Sequence, residues 1–325
     1  MRHALTFVIA GALALAAVPA AAEDAWPSRP VKMIVPFAPG GASDFVARIV
    51  QQPVSEILGQ SLVVENRAGA SGNIGMDAAA RSAPDGYTIF LGNIGTIAIN
   101  PGVFKSMPLD TQRDLVPVTL VAEVPSILVA NPAIAANSVP DLVGAAKAKP
   151  GALNFASPGA STLNRLEMEQ FMKDAGISLM HIPYKGGAGP AVMGLLGGET
   201  QVMFVTLSSA IAFVQAGRLK AFAVTSERRV DGLANVPTMV ESGYPDMVST
   251  SWQGVFVPAG TPRPIVMRLH QALVQALGFP DVRQKLAQGG VGVVTSRTPE
   301  DFAGFVGIEI VRWGKVARES GATAD

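Results

Sequence analysis

The sequence predicts an α/β protein of two lobes, each a mainly parallel sheet flanked by helices, with a ligand cleft between them. Three observations carry that expectation. Short apolar runs alternate with helix-period patterns; the alternation occurs twice, with different residues; and two long extended runs join the units. Strands that are apolar on both faces and alternate with helices belong to parallel sheets covered on both sides.

The chain opens with "MRHALTFVIAGALALAAVPAAA", in which Arg2 and His3 precede an apolar run and Ala20-Ala21-Ala22 stands before Glu23 and Asp24. This is the layout of a secretory signal whose apolar core is too short for a membrane span. Cleavage after about Ala22 and export of a soluble protein are expected. Without Arg2 the basic residues number one fewer than the 25 acidic ones, so no broad field exists to hold nucleic acid or anionic lipid. The chain has no cysteine, which excludes disulfides and a thiolate nucleophile. Stability must come from burial, and 49% hydrophobic content can supply two cores.

In the first unit, "VKMIVPF" (31–37), "SLVVENR" (61–67) and "YTIFLG" (87–92) read as strands. Between the first two, Phe45, Val46, Ile49, Val50, Val54, Ile57 and Leu58 form a helical stripe in which Pro53 predicts a kink. The extended run "VTLVAEVPSILVANP" (118–132) leads to the second unit. There "LNFAS", "LMHIPY", "QVMFVTL" and "LKAFAVTS" read as strands, separated by helices ending at Gly. A second extended run, "TSWQGVFVPAGTP" (250–262), precedes helices opened by Pro262, Pro280 and Pro299. A chain that leaves one lobe, builds the other and returns has residues 23–125 plus 251–325 in lobe I and 126–250 in lobe II. Hinge strands then fall near 118–132 and 250–260.

Two corners resemble each other. "IVPFAPGGASD" (34–44) and "FASPGAST" (155–162) each end a strand in Pro-Gly, small residues and hydroxyls before a helix begins. In an open parallel sheet ligands sit beyond the carboxyl ends of the strands, where a helix start offers unpaired N–H groups and the positive end of its dipole. Gly40, Gly41 and Gly159 let backbone approach a bound group, and Ser43, Ser161 and Thr162 add hydroxyls. Two such corners, one per lobe, could grip a small anion. The bland alternative is ordinary helix capping, which suits Asp44 better than ligand contact because its charge would repel a carboxylate.

Other constellations are weak. His181 and His270 are the only histidines after the signal, too few for a metal cage. No phosphate-loop spacing and no Gly-x-Ser-x-Gly elbow occurs. Neither a metal nor a cofactor is expected. Tyr184 and Trp252 are the aromatic candidates for the cleft, with core packing as the alternative.

The runs "WPSRPVKMIVPFAPGGASDFVARIV", "VVENRAGASGNIGMDAAARSAPDGYTIFLGN", "HIPYKGGAGPAVMGLLGGETQVMF" and "SWQGVFVPAGTP" closely resemble the Bug-family extracytoplasmic solute receptors of tripartite tricarboxylate transporters. The resemblance implies a periplasmic binding protein of type II topology, not an enzyme, that closes on a small carboxylate and passes it to membrane transporter subunits, working as a monomer. Carried over by position, the ligand loops fall on 38–44, 92–96, 157–162 and 184–187. That makes Ala38, Gly40, Gly41, Ala42, Ser43, Asp44, Asn93, Thr96, Ser157, Gly159, Ser161, Thr162, Tyr184, Lys185 and Gly186, with Val205 after the "VMF" strand, the candidate ligand residues. Backbone N–H groups of Gly40, Gly41 and Ala42 and the Ser161 and Thr162 hydroxyls would take the main carboxylate. Val205 stands where relatives often carry Asp, and Ile97 and Asn164 stand at or near frequent His positions. These departures predict a more apolar pocket and disfavour an amino acid ligand. Two other readings stay open: a ligand sensor reporting to a membrane kinase, and an exported hydrolase using Ser43 or Ser161 with His181 as base.

Overall fold

The computed structural model describes residues 26–319 apart from 108 and 160; the expected signal, 1–22, lies outside the described residues. The first half-sheet begins with β1 (Val31–Val35), α1 (Ala42–Leu58) and β2 (Leu62–Asn66). It continues through α2 (Asn73–Ala80) and β3 (Thr88–Asn93). A π-helical turn, Gly95–Ile99, runs on into α3 (Asn100–Val103), and α4 (Thr111–Asp114) leads to β4 (Leu115–Ala130). The second half-sheet holds α5 (Val139–Ala148), β5 (Asn154–Ser157), α6 (Leu163–Ala175), β6 (Met180–Pro183) and α7 (Ala188–Leu196). It then adds β7 (Val202–Thr206), α8 (Leu207–Gln215) and β8 (Lys220–Val224). The chain returns through β9 (Thr250–Pro258) and closes with α9 (Arg263–Gly278), α10 (Pro280–Gln288) and α11 (Pro299–Glu319).

The strands form one curled mixed sheet in the order β2-β1-β3-β9-β4-β7-β5-β6, with β8 also on β4. Within each half β1, β2 and β3, or β5, β6 and β7, pair in parallel, as runs apolar on both faces require. The two extended runs of the sequence are antiparallel neighbours, β4 and β9. β4 pairs with β9 as far as Pro125 and with β7 from Ser126, so one 16-residue strand belongs to both halves. Two register shifts between β4 and β9 add local twist.

Helix α1 runs through Pro53 without interruption. The expected helix starts at Pro262, Pro280 and Pro299 all occur, and Thr298 caps the last by accepting from the Asp301 N–H at 3.1 Å. One core cluster packs α1 and α9 against β1 and reaches α7 and α8, so it spans both halves. A second joins β3, β9 and α11 around Phe90, Phe256 and Phe302. The third fills the second half around Phe155, Phe171 and Phe204.

Candidate functional site

Both corners open on one cavity of about 40 Å³ between the halves. A single water needs about 10–15 Å³ by that measure, so there is room for a small polar group. Its wall takes Gly41, Ala42 and Ser43 from the start of α1, Thr162, Leu163 and Asn164 from the start of α6, Ala188 from α7 and Thr206 from the start of α8. These four helix starts carry no side-chain cap. Such helix starts offer unpaired N–H groups and the positive end of a dipole, and all four contribute residues to this one wall. Asn93, Ile94 and Gly95 enter where β3 becomes the π-helical turn, and Ser251 and Gln253 rise from β9. Among the described residues no charged side chain lines the cavity, so the wall itself presents backbone dipoles and neutral hydrogen-bonding groups.

The halves touch at this end. Ala38 N–H donates to the Gly186 carbonyl at 2.9 Å, and Ser161 Oγ donates to Asn100 Oδ1 at 2.5 Å. Asn100 is itself fixed, donating to the Ser71 carbonyl and to Asn73 Oδ1.

Of the residues expected to contact ligand, the cavity wall collects Gly41, Ala42, Ser43, Asn93 and Thr162. The others are engaged elsewhere, for reasons that side-chain geometry supplies. Asp44 accepts from Gly40 N–H at 3.2 Å, from Arg48 Nε at 3.0 Å and from Asn66 Nδ2 at 3.0 Å. Thr96 is fully buried and exchanges hydrogen bonds with Asn93, the Thr96 N–H donating to Asn93 Oδ1 at 2.9 Å; it orients Asn93 instead of lining the cavity. Ser157 Oγ donates to the Gly159 carbonyl and lies 2.7 Å from His181 Nε2. The Ser161 hydroxyl is taken by Asn100. Tyr184 leans away onto α7 and donates to Glu199 at 2.6 Å, and Lys185 is exposed. Val205 and Ile97 are fully buried core residues outside the cavity wall, so the apolar pocket expected from them does not arise there; Asn164 does reach the wall and keeps it polar. Trp252 belongs to the core, stacked edge-on against Phe302 and Phe305.

Three residues that matter here escaped the sequence reading. Phe37 and Thr206 line the cavity, and Gln253 accepts from Ser43 Oγ at 2.7 Å while only 1% exposed. A lone amide inside the apolar run "SWQGVFVP" was the available signal.

Titration follows the same geometry. Burial raises the Asp44 carboxyl, but the bonds from Arg48, Asn66 and Gly40 and the Arg48 charge outweigh it and hold the group below its ordinary 3.8. A depressed carboxylate stabilises the fold above its unfolded value and loses that contribution as pH falls through the folded one. Asp44→Asn should therefore cost about 1–2 kcal/mol at pH 7, since Arg48 is half exposed. The difference from wild type should shrink in urea melts at pH 3; an equal gap at both pH values would disprove the role. Burial, then the Arg165 charge, pushes His181 down to about 4. Burial and Glu199 push Tyr184 up to about 12. Ser43 and Ser161 are bonded to Gln253 and Asn100, not to His181, so the serine–histidine pairs of a hydrolase are not formed. Behind the cavity, burial raises the Glu167 carboxyl, which accepts from Asn164 and Ser249. Among the described residues no group of three or more His, Cys, Asp or Glu could hold a metal, and no helix is long and apolar enough to cross a membrane.

The tripartite tricarboxylate transporter family receptor model matches residues 46–322. Protein BugT of Bordetella pertussis is 40% identical over 300 residues, covering 92% of this chain and 91% of BugT. A structure of an R. palustris protein with adipate superposes with a TM-score of 0.88 at 34% identity, covering 92% of this chain and 99% of the other. MatC from Rhodopseudomonas palustris with bound malate superposes with a TM-score of 0.84 at 31% identity, over 90% of this chain and all of MatC.

Proposed function

The chain belongs to the tripartite tricarboxylate transporter receptor family, and on that premise we propose that it captures a small organic carboxylate between two lobes and delivers it to membrane transporter subunits. It is a periplasmic solute-binding receptor for carboxylates. Lobe I comprises 23–125 with 251–325 and lobe II comprises 126–250. β4 changes partner between Pro125 and Ser126, and rotation about that point would open the cleft with little loss of sheet pairing. The receptor acts as a monomer after removal of the first 22 residues on export.

One observation carries the ligand class: four uncapped helix starts face a cavity with no charged wall. Such a site pairs an anion with oriented N–H groups and helix dipoles. The nearly buried Gln253 amide supplies an independent polar group there. The adipate and malate held by the two relatives agree with a carboxylate.

The test is a thermal-shift screen of signal-free protein, unfolded and refolded to strip carried ligand, against mono-, di- and tricarboxylates, aromatic acids and acidic amino acids. A ligand at about 1,000 times its dissociation constant adds about 4 kcal/mol, a rise of several degrees. One carboxylate class should produce that rise. A flat response to every carboxylate would overturn the reading.

A further inference from the structure

We propose that Gln253, oriented by Ser43 and paired with Asn93, is the specificity residue of this cavity. On this assignment its amide N–H groups receive an acceptor oxygen on the ligand body, so the protein favours carboxylates carrying such an oxygen over those whose body is apolar or bears an ammonium. The inference rests on the receptor reading above and adds to it a residue and a second recognition point.

Three features carry it. Ser43 Oγ donates its only proton to Gln253 Oε1 at 2.7 Å, which turns the amide nitrogen away from Ser43. No described residue forms a hydrogen bond with Gln253 Nε2, although the residue is 1% exposed and lines the cavity. Buried amide donors nearly always find partners, and the cavity is where one can enter. Second, Asn93 is the direct cross-strand partner of Gln253 in the β3–β9 ladder, so the two side chains share one face about 5 Å apart at Cβ. Asn93 is set the same way, its Oδ1 accepting the Thr96 N–H at 2.9 Å and its Nδ2 making no bond to a described residue. Two amide oxygens are thus tied back by neighbours, leaving two NH2 groups side by side as a fork. Third, among the described residues no carboxylate lines the cavity; the nearby Asp44 is held by Arg48, Asn66 and Gly40. A ligand ammonium would find no charge partner on that wall, whereas a second carboxylate or a keto oxygen would meet the two amide donors.

The experiment titrates refolded wild type, Gln253→Leu and Gln253→Glu calorimetrically with succinate and adipate, with butyrate and hexanoate as matched monocarboxylates, and with glutamate. Melting curves verify folding. Wild type should prefer a dicarboxylate to its matched monocarboxylate by about tenfold or more, the size of a hydrogen bond to a charged group. Gln253→Leu should weaken the dicarboxylate about 10- to 100-fold and move the monocarboxylate little, bringing the ratio toward one. Gln253→Glu, nearly isosteric, should weaken dicarboxylates at least as far and narrow the gap to glutamate, which a purely structural role would not do. An unchanged ratio in both variants, or a wild type indifferent to the second oxygen, would overturn the assignment while leaving the receptor reading intact. A wild type that binds no carboxylate, in this titration and in the thermal screen, removes both.

Discussion

Gly41→Val should abolish carboxylate binding without unfolding the protein. Gly41 is the N-cap of α1, with φ −92° and ψ 171°, an extended conformation that a β-branched residue adopts readily. A Cβ there would lie 3.7 Å from the Ala188 Cβ, an ordinary contact, so the fold has room for it. The remaining methyl groups would fall into the cavity of about 40 Å³ that Gly41 lines, where on the proposed reading the first N–H groups of α1 take the anion. Filling it removes both space and donors. Calorimetry should detect no binding where wild type saturates, while the melting temperature moves by no more than about 2–4 °C. Retained wild-type affinity would remove the helix corner from the site.

Gly189→Ala should leave each half of the molecule sound and prevent the two halves from meeting as they do in the structure. Gly189 lies in the first turn of α7 without a positive φ, where Ala is intrinsically better by up to about 1 kcal/mol. In the structure as it stands, however, its Cβ would overlap the backbone carbonyl oxygen of Pro39. A backbone oxygen cannot rotate aside, and the adjacent Ala38 N–H to Gly186 carbonyl bond of 2.9 Å holds the same two segments together. Ligand affinity should fall at least about tenfold, because the second set of helix starts no longer reaches the anion. Small-angle scattering should then show no ligand-dependent compaction. Normal affinity with normal compaction would mean that closure does not bring Pro39 against α7.

The corners at 34–44 and 155–162 were legible because strand-to-helix turns are local: the residues that build them are neighbours in sequence. The π-helical turn after β3 was not, since "GNIGT" carries no strong turn or cap signal. Serine 161 looks like a ligand hydroxyl in sequence, yet Asn100, 61 positions away, takes its proton. Tyr184 follows a strand in the expected loop, but a glycine at 194 opens a seat for its ring on α7, and the phenol goes there.

The α/β class, the double βα corner, the two extended joining runs and the absence of cysteine chemistry are all written in local stretches of the chain. Periodicity, Gly and Pro placement and composition are properties of short windows, and they survive whatever the rest of the chain does. Which polar groups are consumed and which are left over depends instead on how distant segments pack. Ser43 meets Gln253 across 210 residues, and Asn93 meets Gln253 because β3 and β9 pair antiparallel. A side chain becomes a binding group when every neighbour that could satisfy it is elsewhere, and that depends on contacts between residues far apart in the chain.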